Sequence, residues 1–146
     1  MTSFNLVQNS TLERDVIFRI STDVENFHKI MPKYFQSLEI LENSSNEIIV
    51  MESIDFLGKK IRIKTKHVIV KPNMHKVFIL TGPVRGTSFI ETYAPNSFGT
   101  DISILVNLKL NGFLKLIPFL GFLIKNRMNS VMSEFITCAE SYSRSN

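Results

Sequence analysis

The chain has 146 residues, 44% of them hydrophobic and 21% charged, with a formal net charge of +4. That is enough chain for one domain, residues 1–146, with a buried core, and the balance excludes a disordered tract or a membrane span. A lone cysteine, Cys138, excludes an internal disulfide and a cysteine-based zinc cluster. The polar opening, residues 1–10, lacks a basic stretch followed by an apolar one, so a cytoplasmic protein is expected.

Residues 3–8 alternate weakly and predict a first strand. Ser10 with Glu13 three positions on has capping-box spacing, and Leu12, Val16, Ile17 and Ile20 give a short helix over 11–21 one apolar face. Val24, Phe27, Ile30 and Met31 predict a second short helix, stopped at Pro32. The period then changes. Six strands are predicted in a row, over 34–42, 47–56, 60–71, 74–81, 87–94 and 100–110, each parted from the next by Asn, Gly, Pro or Ser. Loops this short join antiparallel neighbours. From Pro118 to Tyr142, Leu120, Ile124, Met128, Val131, Phe135 and Cys138 recur at helical spacing. They mark a helix of roughly 35 Å at about 1.5 Å per residue, its stripe laid against the sheet.

Faces follow from charge. Arg62, Lys64 and Lys66 go to water, so Ile61, Ile63, Thr65 and His67 face the helix. A tight turn at Gly58-Lys59 would pair Phe56 with Ile61 and Asp55 with Arg62, turning Val50, Glu52 and Ile54 inward. A three-residue turn after Lys71 would set His67 beside Ile79 and Thr65 beside Thr81. Glu52, Thr65 and Thr81 then share a row, with His67 one row away. His28 and His75 read as surface residues. With no close-spaced ligand set, no metal is expected, and no phosphate or dinucleotide motif predicts a cofactor. The basic residues are scattered over strand faces, so no nucleic-acid partner is expected.

The order of one strand, two short helices, six antiparallel strands and a long helix resembles the helix-grip superfamily of START, birch-allergen-like and polyketide cyclase-like proteins (SRPBCC). The stretch Asp15-Val16-Ile17-Phe18, Asp23 and Met31-Pro32 is similar to that family's opening. Phe89 through Ala94-Pro95, followed by Gly99-Thr100, resembles its late hairpin. The resemblance implies an α+β fold: a seven-stranded curved antiparallel sheet wrapped around the C-terminal helix, with a cavity between them.

In that frame the sheet would line the cavity with Val50, Glu52, Ile54, Ile63, Thr65, His67, Ile79 and Thr81, joined by Phe89, Glu91 and Ile104. Phe27 and Met31 would close it from the second short helix, and Met128, Val131, Met132 and Phe135 from the long one. Phe113, Leu116, Ile117, Phe119 and Phe122, flanked by Lys115 and Lys125, form an apolar lip suited to a pocket entrance, transient membrane contact or a partner. The leading expectation is a binding protein for a lipid, quinone, sterol or polyketide-like molecule. The alternatives are a cyclase, aromatase or dehydratase using Glu52, His67 and Tyr93, and an interaction module using residues 111–124.

Overall fold

The computed structural model describes residues 2–145; Met1 and Asn146, at the ends of the expected domain, lie outside the described residues. Strand β1 (Thr2–Ser10) leads into helix α1 (Arg14–Thr22), a 3-10 turn at Val24–Asn26 and helix α2 (Phe27–Ile30). Six strands follow: β2 (Ser37–Asn43), β3 (Glu47–Phe56), β4 (Lys59–Val70), β5 (Met74–Ile79), β6 (Ser88–Asn96) and β7 (Gly99–Leu108). A 3-10 turn at Gly112–Leu116 precedes helix α3 (Leu120–Ser145). All strand pairs are antiparallel, in the order β1-β7-β6-β5-β4-β3-β2. Only β1 is placed out of sequence, beside β7.

The sheet is apolar on one face because its sequences alternate. Ile102, Ile104, Val106 and Leu108 of β7 are buried, while Asp101, Ser103 and Leu105 are not. Helix α3 lays Leu120, Ile124, Val131, Phe135, Ile136 and Ala139 against that face. Its start differs from expectation. Pro118 lies in the preceding turn, and Phe119, with φ of 62°, makes the bend from which the helix begins.

The Ser10–Glu13 capping box does not form. Helix α1 starts after Glu13 with no side-chain cap, and Ser10 donates to Glu140 of α3 instead, at 2.9 Å. The Thr11 N–H and hydroxyl donate to the same carboxylate oxygen, at 2.9 and 3.0 Å. Opposite this corner, the Gly99-Thr100 pair has a physical reason. A Cβ on Gly99 would collide with the Ser10 carbonyl oxygen, and the Thr100 hydroxyl donates to the Leu12 carbonyl at 2.8 Å.

Two hairpins shift the expected register. The β3–β4 turn is the two-residue Leu57-Gly58, both with positive φ (50° and 88°), so Phe56 pairs with Lys59 and Ile54 with Ile61. Asp55 therefore faces Lys60, not Arg62, and Arg62 pairs with Glu39 at 3.3 Å. Across β4–β5, His67 pairs with Val77 and Thr65 with Ile79. Both shifts are by two residues, so every side chain keeps its face while changing its neighbours.

Candidate functional site

A cavity of about 190 Å³ lies between the concave sheet face and α3. Its walls are mostly apolar. Ile54, Ile63, Ile79 and Phe89 come from the sheet, Phe27 and Phe35 from α2 and the chain after it, and Met128, Val131, Met132 and Phe135 from α3. Phe27, Phe35 and Phe135 pack edge-on or tilted at 5.0 to 6.4 Å between ring centres, so one wall is aromatic. The most solvent-exposed lining residues are Leu57 in the β3–β4 turn and Arg127 on α3. The cavity therefore reaches the surface between that turn and the helix, where Arg127 bonds Asp55 at 3.3 Å.

Not every residue expected at the cavity lines it. Met31, Val50 and Ile104 are buried in the core without reaching the cavity. Thr81 lies beyond the end of β5, exposed, with its hydroxyl accepting from the Lys64 N–H at 2.9 Å. Phe113, Leu116, Ile117, Phe119 and Phe122 of the apolar lip line no part of the cavity. The 3-10 turn buries Leu114 and the first turn of α3 buries Leu120 and Ile124. These neighbours therefore stay outside, Phe113, Leu116, Phe119 and Phe122 at 73%, 83%, 81% and 63% exposure.

The polar groups form a diagonal stripe. Glu52 on β3 lies one row from Thr65, the residue opposite Val50 on β4. The Thr65 hydroxyl is 3.2 Å from His67 Nε2, and His67 Nδ1 is 3.0 Å from His75 Nε2. His75 sits directly opposite Glu91 on β6, its Nδ1 2.9 Å from Glu91 Oε1. The Tyr93 hydroxyl donates to the same oxygen at 2.7 Å. His75, expected at the surface, is thus among the most buried residues. It shares the inward phase of Val77 and Ile79, a signal present in the sequence. His28 is exposed.

Burial sets the electrostatics. Desolvation lowers the pKa of His67 well below the ordinary imidazole value, helped by neighbouring His75, so the His67 ring is a neutral hydrogen-bond relay. Burial raises Tyr93, and the Glu91 charge adds to the effect. Glu52 is pushed up to about 7 by burial, with the Thr65 hydroxyl beside it pulling the other way. Its Oε2 is the one buried side-chain oxygen or nitrogen among the described residues without a hydrogen-bond partner. Tyr34, expected in a strand, instead follows α2. Burial and then the nearby Glu52 raise its hydroxyl to about 12. Tyr34, Glu52, Asp55 and Arg127 thus make a polar end to the cavity that comes from three separate stretches of chain. No group of three or more His, Cys, Asp or Glu among the described residues is placed to hold a metal.

No protein-family model and no curated protein sequence matches the chain. Solved structures do. The Zhui aromatase/cyclase of a Streptomyces species aligns at a TM-score of 0.79 with 12% identity, over 95% of this chain and 93% of that one. Ara h 8.0201 aligns at 0.74 with 18% identity, over 99% of both chains. A START superfamily protein from Mycobacterium smegmatis aligns at 0.76 with 11% identity, over 96% and 95%.

This is the helix-grip fold.

At these identities the likeness fixes the architecture, and helix-grip proteins differ in what fills the space between sheet and helix. What this one holds has to be argued from its own side chains. No helix among the described residues is long and apolar enough to cross a membrane.

Proposed function

We propose that this helix-grip protein binds a hydrophobic or amphipathic small molecule between the sheet and α3, and carries it. The observation that supports this most is the cavity: about 190 Å³, walled by aromatic, Ile and Met side chains, with a few polar groups converging on it. That is the make-up of a small-molecule site. Burial of apolar ligand surface supplies the affinity, at about 25 cal/mol per Å² before the costs of association. The flexible Met128 and Met132 suit ligands of varied shape.

The exposed lip supports a membrane as the place of exchange. From Lys109 to Ser133 the chain has four basic residues and no acidic one, around the outward Phe113, Leu116, Phe119 and Phe122. A surface of that kind lies down on anionic lipid.

Native mass spectrometry of freshly purified protein, followed by organic extraction, tests the carrier reading. A stoichiometric apolar molecule is expected, and Met132→Trp, which fills the cavity from α3, is expected to lose it. Retention of the same molecule by Met132→Trp would place the ligand elsewhere.

A second reading is an enzyme of the cyclase, aromatase or dehydratase kind. It is favoured by the hydrogen-bonded His67–His75–Glu91–Tyr93 chain in the cavity wall, which is suited to moving protons.

A further inference from the structure

Helix α3 is fastened unequally to the sheet. On the β1 side Asn129 accepts from Gln8 at 2.8 Å, and Glu140 accepts three hydrogen bonds from the corner after β1. On the side of the β3–β4 hairpin the cavity lies between helix and sheet. There Arg127 donates to Asp55 Oδ2 at 3.3 Å, and both side chains line the cavity where it meets the surface. Asp55 Oδ1 accepts the Gly58 N–H at 2.8 Å, so one carboxylate ties the β3–β4 turn to the helix. Moving that turn away from α3 to widen the mouth requires breaking the ion pair.

The pair is weak and open to exchange. Its side chains are 46% and 31% exposed, and an ion pair in contact with water contributes little. Its surroundings favour a different partner for the arginine. Leu123 lies one turn before Arg127 on the same side of α3 and is exposed, so the apolar lip runs along the helix up to the ion pair. Leu57, two residues beyond Asp55, is exposed as well, and Lys59 follows it. A chain lying on its lip therefore brings Arg127 to the headgroups. Many phosphates there compete with a single half-exposed carboxylate, and a guanidinium binds phosphate as readily.

We propose that the Asp55–Arg127 ion pair latches the cavity mouth, and that an anionic lipid surface opens it by drawing Arg127 from Asp55 onto lipid phosphate. This rests on the carrier reading and adds its control: the mouth is held closed in water and released at the bilayer.

The probe is N-phenyl-1-naphthylamine, a neutral apolar dye that brightens in an apolar site, followed by stopped-flow fluorescence. Asp55→Asn removes one charge and keeps an oxygen for the Gly58 N–H; Arg127→Gln removes the other. In solution each variant is expected to take up and release the dye at least twofold faster than wild type, and up to about fivefold, the most an exposed ion pair supplies. The two rates should rise together, as they do when a barrier falls. A change in one rate alone would mark a lining contact and overturn the latch, as would rates within twofold of wild type. Release is then measured into phosphatidylcholine vesicles with and without phosphatidylglycerol. Phosphatidylglycerol is expected to accelerate release from wild type at least twofold more than from Asp55→Asn, whose mouth is already unlatched. Loss of an acidic residue strengthens attraction to anionic lipid, so the charge change itself works against this result. Equal acceleration would overturn the membrane trigger and leave the carrier reading standing. Failure of wild type to bind the dye would overturn both.

Discussion

Glu52 makes a quantitative claim on stability. The carboxyl is 5% exposed, and burial moves it from an ordinary 4.5 to about 7. The folded protein therefore holds this proton more tightly than the unfolded chain does. Below pH 4.5 both states are protonated and nothing is lost. As pH rises from there to about 7, the unfolded chain releases its proton first, and stability falls. At about 1.36 kcal/mol per pH unit, the loss is about 3 kcal/mol once both states are ionised. Glu52→Gln keeps the shape and removes the titration. It should match wild type near pH 4 and exceed it by about 3 kcal/mol at pH 8, roughly 10 °C in melting temperature for a chain of this size. Urea unfolding of both proteins across pH 4 to 8 measures the difference directly, since every other titrating group cancels. Parallel curves would refute the argument and mean that water or a relaxed side chain solvates Glu52.

Three other outcomes are expected. Glu140→Gln should destabilise by about 1–3 kcal/mol at neutral pH, because a charged acceptor of three hydrogen bonds becomes a neutral one. Burial alone would raise the Glu140 pKa, but the Thr11 N–H and the Ser10 and Thr11 hydroxyls lower it in the fold. The gap between variant and wild type should therefore close as pH falls below 4.5 in a thermal-melt series. Leu57→Asn should stabilise by about 1 kcal/mol in chemical denaturation, since Asn tolerates the positive φ that Leu bears at a strain of about 1–2 kcal/mol. Phe119→Asp with Phe122→Asp should abolish sedimentation with liposomes containing anionic lipid, while retention of the co-purified molecule in native mass spectrometry is unchanged. Persistent sedimentation would remove the lip as the docking surface.

The fold was legible because its signals are redundant. Charge at Arg62, Lys64 and Lys66 settles the face of β4, and antiparallel pairing carries that choice to its neighbours. An error of two residues at each turn leaves the inward set intact, which is why Glu52, Thr65, His67, Ile54 and Ile63 all reach the cavity. Neighbour relations have no such protection. A β3–β4 turn one position later would set Glu52 beside Thr65, and a three-residue β4–β5 turn would set Thr65 beside Thr81, whereas the rows are Glu52 with Ile63, and Val50 with Thr65 and Ile79. His75 was accessible from parity alone, since it follows Val77 and Ile79 inward. Its position at a strand start argued for solvent and concealed the link from His67 to Glu91. The Tyr34–Asp55–Arg127 end of the cavity had no local signature, because its members meet only after α3 has packed against the β3–β4 hairpin. The Ser10–Glu13 capping box fails to form for a related reason. The local partner Glu13 competes with Glu140, and only the tertiary fold decides between them.

The placement of β1 beside β7 bears on how the chain is made. Thr2 pairs with Leu108, and the corner after β1 is held by Glu140, so the first strand waits for nearly the whole chain before its bonds can form. At about 5–20 residues per second of synthesis, that wait is roughly 5–20 s for β7 alone. During it, β2 through β6 can zip sequentially through short turns, while β7 lacks its outer neighbour until β1 returns. Residues 2–10 thus act as a closing strip for that edge. Any partner offering a β-strand to the unguarded side of β7 would compete with the chain's own N-terminus for that place.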